Sequence, residues 1–230
     1  MKTIGLIGGM SWESSQEYYR IINETARERL GGLHSARSLM FSFDFAEIEE
    51  LQAAGEWDEA TRRMVAAAQS LEKGGADFLL ICTNTMHKMA KEVQDGVEIP
   101  LLHIADPTGQ VIKAQGIAKI ALLGTKYTME QDFYKGRLQS EFGLEVVVPD
   151  EADRQTVHDV IYDELCLGVV KDESKQKYQQ IIKRLKTQGA EGVILGCTEI
   201  TLLIQQPDTD LPVFDTTRIH AEAAVDLALQ

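Results

Sequence analysis

Short apolar runs alternate along the chain with longer stretches of helical periodicity. The apolar runs are TIGLIG, ADFLLI, KIALLG, LEVVV and EGVILG. Apolar runs of this length, separated by amphipathic helices, are typical of parallel strands that helices cover on both faces. The pattern therefore predicts an α/β fold built on parallel sheets.

The two halves of the chain repeat this pattern. GADFLLICTNT, residues 75–85, aligns without a gap with GAEGVILGCTE, residues 189–199, at an offset of 189 − 75 = 114. Three further pairs keep offsets of 116, 115 and 112: IGLIGGM with IALLGTK, QEYYR with QDFYK, and IPLLH with LPVFD. Any two α/β halves share apolar strands, but four pairs in the same order predict a duplicated α/β unit.

A duplicated unit predicts two similar lobes related by a pseudo-twofold axis. We expect residues 1–98 to form lobe one and residues 99–210 to form lobe two. The final strand and helix, residues 211–230, parallel the segment that begins at Ile99 and are expected to pack back on lobe one. Ligands of open parallel sheets bind beyond the carboxyl ends of the strands, so the predicted active site is the cleft between the lobes.

Composition narrows the class of protein. Lys and Arg total 23 against 36 Asp and Glu, a net charge of −13, which argues against a nucleic-acid partner because such partners require basic surfaces. The N-terminal apolar stretch is about four residues, shorter than a secretory signal, and no run is long enough to span a membrane. The three cysteines match no zinc-binding spacing. We therefore expect a cytoplasmic protein with unpaired thiols, no metal and no membrane partner.

Candidate chemistry lies at the equivalent strand ends of the repeat. Thr83 aligns with Cys197, and the following residues align Asn84 with Thr198. Each segment falls where an apolar strand ends and a helix begins, and a thiol at a helix N-terminus has a lowered pKa. Cys197 is therefore predicted to be a thiolate, although TNT and CTE could also be simple helix caps. A pair of facing acid/base residues suits removal of a proton from one side of a carbon acid and return of a proton on the other.

Three motifs resemble those of the PLP-independent aspartate/glutamate racemase superfamily: GLIGGM near the N-terminus, NTMH at residues 84–87 and GCTE at residues 196–199. The resemblance covers essentially the whole chain. It implies amino-acid racemisation without a cofactor, a homodimer, and one cysteine from each lobe facing the α-carbon. Glu199 stands where glutamate racemases usually carry His, which places the chain nearer the aspartate racemases.

The chain departs from the family at the first cysteine, which is Thr83 here. The resemblance makes Cys197 the base for the L enantiomer, and Thr83 would then protonate the opposite face. A hydroxyl is a much weaker acid than a thiol, so the two half-reactions are expected to be unequal. Cys82 lies one residue too early, and strand alternation predicts that it is a core thiol unless a kink exposes it.

Selectivity is harder to derive. The segment FSFDFAEIEELQ lacks the arginine that aspartate racemases present there, and a second family contact, a lysine, falls on Cys166. Gln52 could contact the substrate side chain or occupy a solvated helix position, and the loop at Met10 could bind a carboxylate or only form a tight turn. The predicted substrate-binding residues are Met10, Gln52, Asn84, Thr85, Thr198 and Glu199.

Titratable neighbours leave alternatives open. Glu199 could assist Cys197 as a base or only stabilise a helix N-terminus, and His87 could tune the site's protons or only pack. The other histidines share no spacing and are expected to be structural or surface residues: His34, His103, His158 and His220.

The sequence thus favours a racemase of L-aspartate or L-glutamate. The enzymatic alternatives are a broad-specificity amino-acid racemase, a hydantoin racemase or a maleate isomerase. The non-enzymatic alternative is an amino-acid binding protein.

Overall fold

The computed structural model describes residues 1–230 and divides into two compact units. The first unit comprises Met1–Ile104 and His220–Gln230, and the second comprises Ala105–Ile219. The first unit is therefore discontinuous in sequence.

The first unit contains a three-stranded parallel sheet in the order β2-β1-β3. Its elements, in chain order, are β1 (Ile4–Gly8), α1 (Trp12–Leu30), β2 (Ser38–Ser42), α2 (Phe45–Ala54), α3 (Trp57–Lys73), β3 (Phe78–Ile81), a 3₁₀ segment (Thr85–Met89) and α4 (Ala90–Asp95).

The second unit contains a four-stranded parallel sheet in the order β5-β4-β6-β7. Its elements begin with α5 (Ala105–Ala114), β4 (Lys119–Gly124), α6 (Lys126–Glu130), α7 (Asp132–Phe142), β5 (Glu145–Val147), α8 (Glu151–Asp163), a 3₁₀ segment (Leu165–Leu167) and α9 (Asp172–Thr187). They continue with β6 (Val193–Gly196), two further 3₁₀ segments (Thr198–Leu202 and Gln206–Asp208), β7 (Val213–Asp215) and α10 (Thr216–Ala228), which ends in the first unit.

The two units repeat one topology. β3 pairs with β1 as β6 pairs with β4, and each of these strands is followed by a five-residue 3₁₀ segment. The turn before each strand has a glycine with nearly the same left-handed φ, +95° at Gly75 and +94° at Gly189. The predicted α/β fold with two parallel sheets is confirmed.

The unit boundaries differ from the predicted ones. β7 hydrogen-bonds with β6 in the second sheet, so residues 211–219 do not join the first lobe. Residues 99–104 belong to the first unit, where Pro100 accepts the Leu79 N–H and Leu102 donates to the Leu79 carbonyl. Residues 99–104 belong to the same unit as β3, and β7 belongs to the same unit as β6, because each segment hydrogen-bonds to that strand. The helix after residues 99–104 belongs to the second unit, and the helix after β7 ends in the first unit.

Strand alternation divides the core of the first unit between two faces. Leu79 and Ile81 pack with α3 on one face of the sheet. Leu80 and Cys82 pack on the other face with α1 and the end of α10, which contributes Ala224 among other residues. The sheet is thus covered on both sides, and its carboxyl edge is where functional loops can form.

Candidate active site

The loop after β1 is shaped by a glycine. Gly9 has φ +86°, and a Cβ there would lie 2.2 Å from the backbone N of Phe43, so only glycine fits. The Gly9 N–H donates to Ser15 Oγ at 2.8 Å and is therefore occupied. The Met10 side chain packs in the core of the first unit, which leaves only its backbone for contact with a substrate.

Thr83 follows β3 and is partly exposed. Its backbone is held by His87, whose Nδ1 lies 2.7 Å from the Thr83 carbonyl oxygen. Because a carbonyl oxygen only accepts, the imidazole proton is on Nδ1, and Nε2 accepts from the Ile104 N–H at 3.2 Å. His87 is therefore a neutral imidazole that stabilises the turn at Thr83 through hydrogen bonds of both ring nitrogens. Ser14 adds a further hydrogen bond, from its Oγ to the Cys82 carbonyl oxygen at 3.0 Å.

Two more histidines, His103 and His220, lie close to His87. The His103 ring centroid lies 4.6 Å from that of His87, and the His220 ring lies 5.9 Å away. His220 donates through Nε2 to the Leu102 carbonyl oxygen, so its Nδ1 accepts the Tyr18 hydroxyl proton at 2.8 Å. Of the two predicted roles for His103 and His220, structural or surface, the structural role fits, since both residues are buried. Nothing in their sequence spacing indicated that they would meet His87.

The segment that follows Thr83 is also buried. Asn84 and Thr85 are 2% and 6% exposed, and the helix that begins here is a 3₁₀ segment without a side-chain cap. The alternative that Asn84 is a simple helix cap is therefore not what the structure shows. Cys82 is buried in the core, as strand alternation predicts, and this burial raises the pKa of its thiol.

Gln52 lies on α2 and is 5% exposed, so it does not occupy a solvated helix position. Its Nε2 lies 3.1 Å from the sulfur of Met86, in the segment after Thr83. An amide both donates and accepts hydrogen bonds, which suits contact with a carboxylate or an amide of a ligand. Gln52 thus stays a candidate for contact with a substrate side chain.

In the second unit, β6 brings Cys197 to the carboxyl edge of the sheet. Gly196 lies opposite Gly124 in the register of β6 and β4, so Cys197 and Thr125 follow side by side. The Cys197 thiol donates to Oε2 of Glu199 at 2.9 Å. The Thr198 hydroxyl lies 2.8 Å from the hydroxyl of Thr217, which fixes this side chain at the start of the 3₁₀ segment.

The ionisation state of Cys197 differs from the sequence prediction. The predicted thiolate required a lowered pKa, but burial of the sulfur raises the pKa of the Cys197 thiol well above its usual value, and the Glu199 carboxylate raises it further. A 3₁₀ segment of five residues offers little helix dipole to oppose these effects. Cys197 is thus a thiol in the absence of a ligand, and Glu199 is placed to accept its proton.

α8 contributes His158 and Tyr162 near the end of β4, where the sequence predicted only a structural or surface role for His158. His158 Nδ1 accepts from the Lys126 N–H at 3.4 Å, beyond the end of β4. The rings of Tyr127 and Tyr162 lie 6.2 and 4.7 Å from the His158 ring. His158 and Tyr162 lie four residues apart on α8, a spacing that puts them on one side of the helix.

The structure thus brings the predicted site residues into two groups, each within one unit. The first group is Thr83, Asn84, Thr85, Gln52 and the backbone of Met10, and the second is Cys197, Thr198 and Glu199. No group of three or more His, Cys, Asp or Glu side chains is arranged to hold a metal ion. None of the helices has the length and apolar character needed to cross a membrane.

Comparisons with known proteins place these features in a family. The profile of the Asp/Glu/Hydantoin racemase family matches residues 7–224. The chain is similar to a crystal structure from Yersinia pestis, proposed to be an Asp/Glu racemase, with 55% identity, TM-score 0.94 and full coverage of both chains. An aspartate racemase homologue from Pyrococcus horikoshii OT3 is 37% identical, with TM-score 0.86 and full coverage of both chains. The broad specificity amino-acid racemase RacX of Bacillus subtilis (strain 168) is 26% identical over 75% of this chain and 74% of its own length.

Proposed function

Since the chain belongs to the Asp/Glu/Hydantoin racemase family, we propose that it racemises L-aspartate and L-glutamate without a cofactor, with Thr83 and Cys197 as the catalytic pair. The observation that carries this assignment is the repeat: Thr83 and Cys197 follow the equivalent strands β3 and β6, each paired with the first strand of its unit, at the carboxyl end. The similarity to the Yersinia pestis and Pyrococcus horikoshii proteins supports the acidic substrates.

The first half of the reaction belongs to Cys197. Its thiol proton passes along the existing hydrogen bond to Glu199 Oε2, and the thiolate formed takes the α-proton of the L amino acid. The pKa of the thiol stays raised, so the thiolate forms only transiently, and Glu199 releases its proton to solvent once the α-proton is on sulfur. The product of this half-reaction is an α-carbanion whose charge spreads into the substrate carboxylate.

The second half of the reaction belongs to Thr83. Its hydroxyl donates a proton to the opposite face of the carbanion, and the oxygen regains a proton from solvent. Because a hydroxyl is a weak acid, this step is slower than return of the proton by Cys197. The enantiomers have equal free energy, so kcat/KM is equal in the two directions and the asymmetry appears only in exchange rates.

Substrate binding is assigned to the polar groups around these two side chains. Asn84, Thr85 and Thr198 supply short amide and hydroxyl groups for the α-carboxylate and ammonium, and Gln52 is a candidate for the side chain. RacX, a relative named for broad specificity, favours a second candidate function, racemisation of a wider set of amino acids. A rate panel over acidic and neutral substrates separates these two functions.

Exchange in heavy water tests the proposal. With L-glutamate or L-aspartate, we expect deuterium to enter the α-position of the L enantiomer before the D enantiomer accumulates. Cys197→Ala should abolish both exchange and inversion, while the control Cys166→Ala, which also removes a thiol packed on the second-unit core, should retain both. Exchange at equal rates into both enantiomers contradicts an unequal pair of Thr83 and Cys197. If no amino acid exchanges its α-proton, the non-enzymatic alternative of an amino-acid binding protein is left.

We also propose that the protein works in the cytoplasm as a homodimer. Met40 and Phe41 on the edge strand β2, together with Leu33, are exposed apolar side chains, which fits an interface between copies. Light scattering should give a mass of about twice 25.6 kDa. A single-chain mass at micromolar concentration contradicts the dimer.

A further inference from the structure

Lys126 is a half-buried lysine that forms no ion pair with a carboxylate of the chain. Its Nζ lies 5.3 Å from the ring centroid of Tyr127 and forms no ion pair. Two other lysines of the second unit, Lys119 and Lys135, expose 27% and 26% of their side chains, and each pairs with an acidic side chain. An ammonium group withdrawn from water normally has such a partner, and in a chain of net charge −13 acidic partners are abundant.

His158 offers a second donor beside Lys126. Its Nδ1 accepts the Lys126 backbone N–H, so the proton of the neutral ring is on Nε2, where the chain provides no acceptor. Burial and the charge of Lys126 lower the pKa of His158 more than the carboxylates of Asp159, Asp163 and Glu130 raise it, which favours the neutral ring near pH 7. An ammonium and an imidazole N–H thus share one location without an acceptor.

This location adjoins Cys197. Lys126 is the second residue beyond β4 and Cys197 the first beyond β6, and the two strands are neighbours with Gly124 opposite Gly196. Adjacent strands lie about 4.8 Å apart, so both residues occupy the same part of the carboxyl edge. An amino acid presented to Cys197 by its α-carbon would have its side chain within reach of this edge.

We propose that Lys126 and His158 bind the side-chain carboxylate of the amino acid whose α-proton Cys197 removes. A carboxylate accepts from an ammonium and an imidazole N–H together and also neutralises the ammonium charge, which an amide oxygen does not. This inference rests on the proposed racemase function and gives its substrate class a source: acidic amino acids are bound and neutral ones are discriminated against by the unpaired cation.

A comparison of L-glutamate with L-glutamine tests the inference, because the two differ at the side-chain terminus. Lys126→Met removes the charge and keeps the length of the side chain, and Lys119→Met makes the same change at the opposite end of β4. For Lys126→Met we expect KM for L-glutamate to rise at least ~10-fold, with kcat/KM for L-glutamine changed less than ~3-fold. His158→Phe should raise KM for L-glutamate by a smaller factor, and Lys119→Met should leave the glutamate-to-glutamine ratio unaltered.

Binding measured by calorimetry separates this inference from the racemase proposal. If the wild-type protein binds L-glutamate at least ~10-fold more tightly than Lys126→Met but exchanges no α-proton, the carboxylate site stands and the racemase fails. If α-proton exchange occurs and Lys126→Met leaves the glutamate-to-glutamine ratio unchanged, the racemase stands and the carboxylate site is overturned. Absence of L-glutamate binding by the wild-type protein also overturns it. Lys126→Arg, which keeps the charge, guards against loss of folding and should retain the preference for L-glutamate.

Discussion

The Cys197 thiol donates a hydrogen bond of 2.9 Å to the carboxylate of Glu199, two residues further along the chain. The hydrogen bond gives the thiol proton an acceptor within the protein, so Cys197 acts as a base through a transient thiolate although the pKa of its thiol is raised. The same carboxylate also opposes ionisation of the thiol to solvent. The two effects of Glu199 have opposite signs, and a single variant can separate them.

Glu199→Gln should make the Cys197 thiol more reactive towards alkylation and, at the same time, less effective in removing the α-proton. Removal of the carboxylate lowers the pKa of the Cys197 thiol relative to the wild type, so alkylation by iodoacetamide should become faster at a given pH. The amide cannot take the thiol proton, so α-deuterium exchange near pH 7 should fall about 10²-fold or more. The exposed control Glu173→Gln should change neither rate, and a parallel rise in both rates would refute the role of Glu199 as proton acceptor.

Thr83→Val tests whether the hydroxyl completes inversion. Valine keeps the branched shape of threonine but has no proton to donate, so formation of the D enantiomer should fall by about 10²-fold or more while exchange into the L enantiomer continues. Thr83→Cys should speed inversion, since a thiol is a stronger acid. Chiral chromatography with mass detection of deuterium follows both quantities, and inversion unaffected by Thr83→Val would remove Thr83 from the mechanism.

His87→Leu should weaken the fold of the first unit. The variant removes the imidazole hydrogen bonds to the Thr83 carbonyl oxygen and the Ile104 N–H, at a cost of roughly 1–3 kcal/mol for the two together. Urea unfolding followed by circular dichroism measures the free energy of unfolding. The exposed His34→Leu provides the control and should stay within ~0.5 kcal/mol of the wild type.

Gly9→Ala and Gly55→Ala form a matched pair, since both glycines have left-handed φ, +86° and +73°. The Cβ at Gly9 would meet the Phe43 backbone, whereas the Cβ at Gly55 would meet no atom within 4 Å. Gly55→Ala should therefore cost only about 1 kcal/mol, and Gly9→Ala distinctly more, because the backbone near Phe43 must move. Equal losses in urea unfolding would show that φ alone matters at both sites.

The sequence predicts the features that repeat. The offset between Gly75 and Gly189 locates the equivalent turns, and the strand ends at Thr83 and Cys197 follow from it. That β7 (Val213–Asp215) joins the second sheet is not predicted, because it depends on which edge accepts backbone hydrogen bonds and not on apolar pattern.

Contacts between residues far apart in the sequence explain the other features that the sequence did not predict. Lys126 and His158 lie 32 positions apart, so their hydrogen bond exists only once α8 has docked beside β4. The raised pKa of Cys197 has a similar origin, because burial depends on residues contributed by α8 and α9 as well as on the strand itself. Local motifs identify which residues carry chemistry, while the packed unit determines their protonation.

The return of α10 to the first unit has a consequence for the history of the duplicated chain. Residues 1–104 alone would lack the helix whose Ala221, Ala224 and Val225 pack beside α1 on one face of the first sheet, so this face would be only partly covered. A single ancestral half would therefore need this helix from a second molecule, as in a domain-swapped pair. Within the present chain the exchange is intramolecular, and co-expressed half-length fragments should complement each other where either fragment alone aggregates.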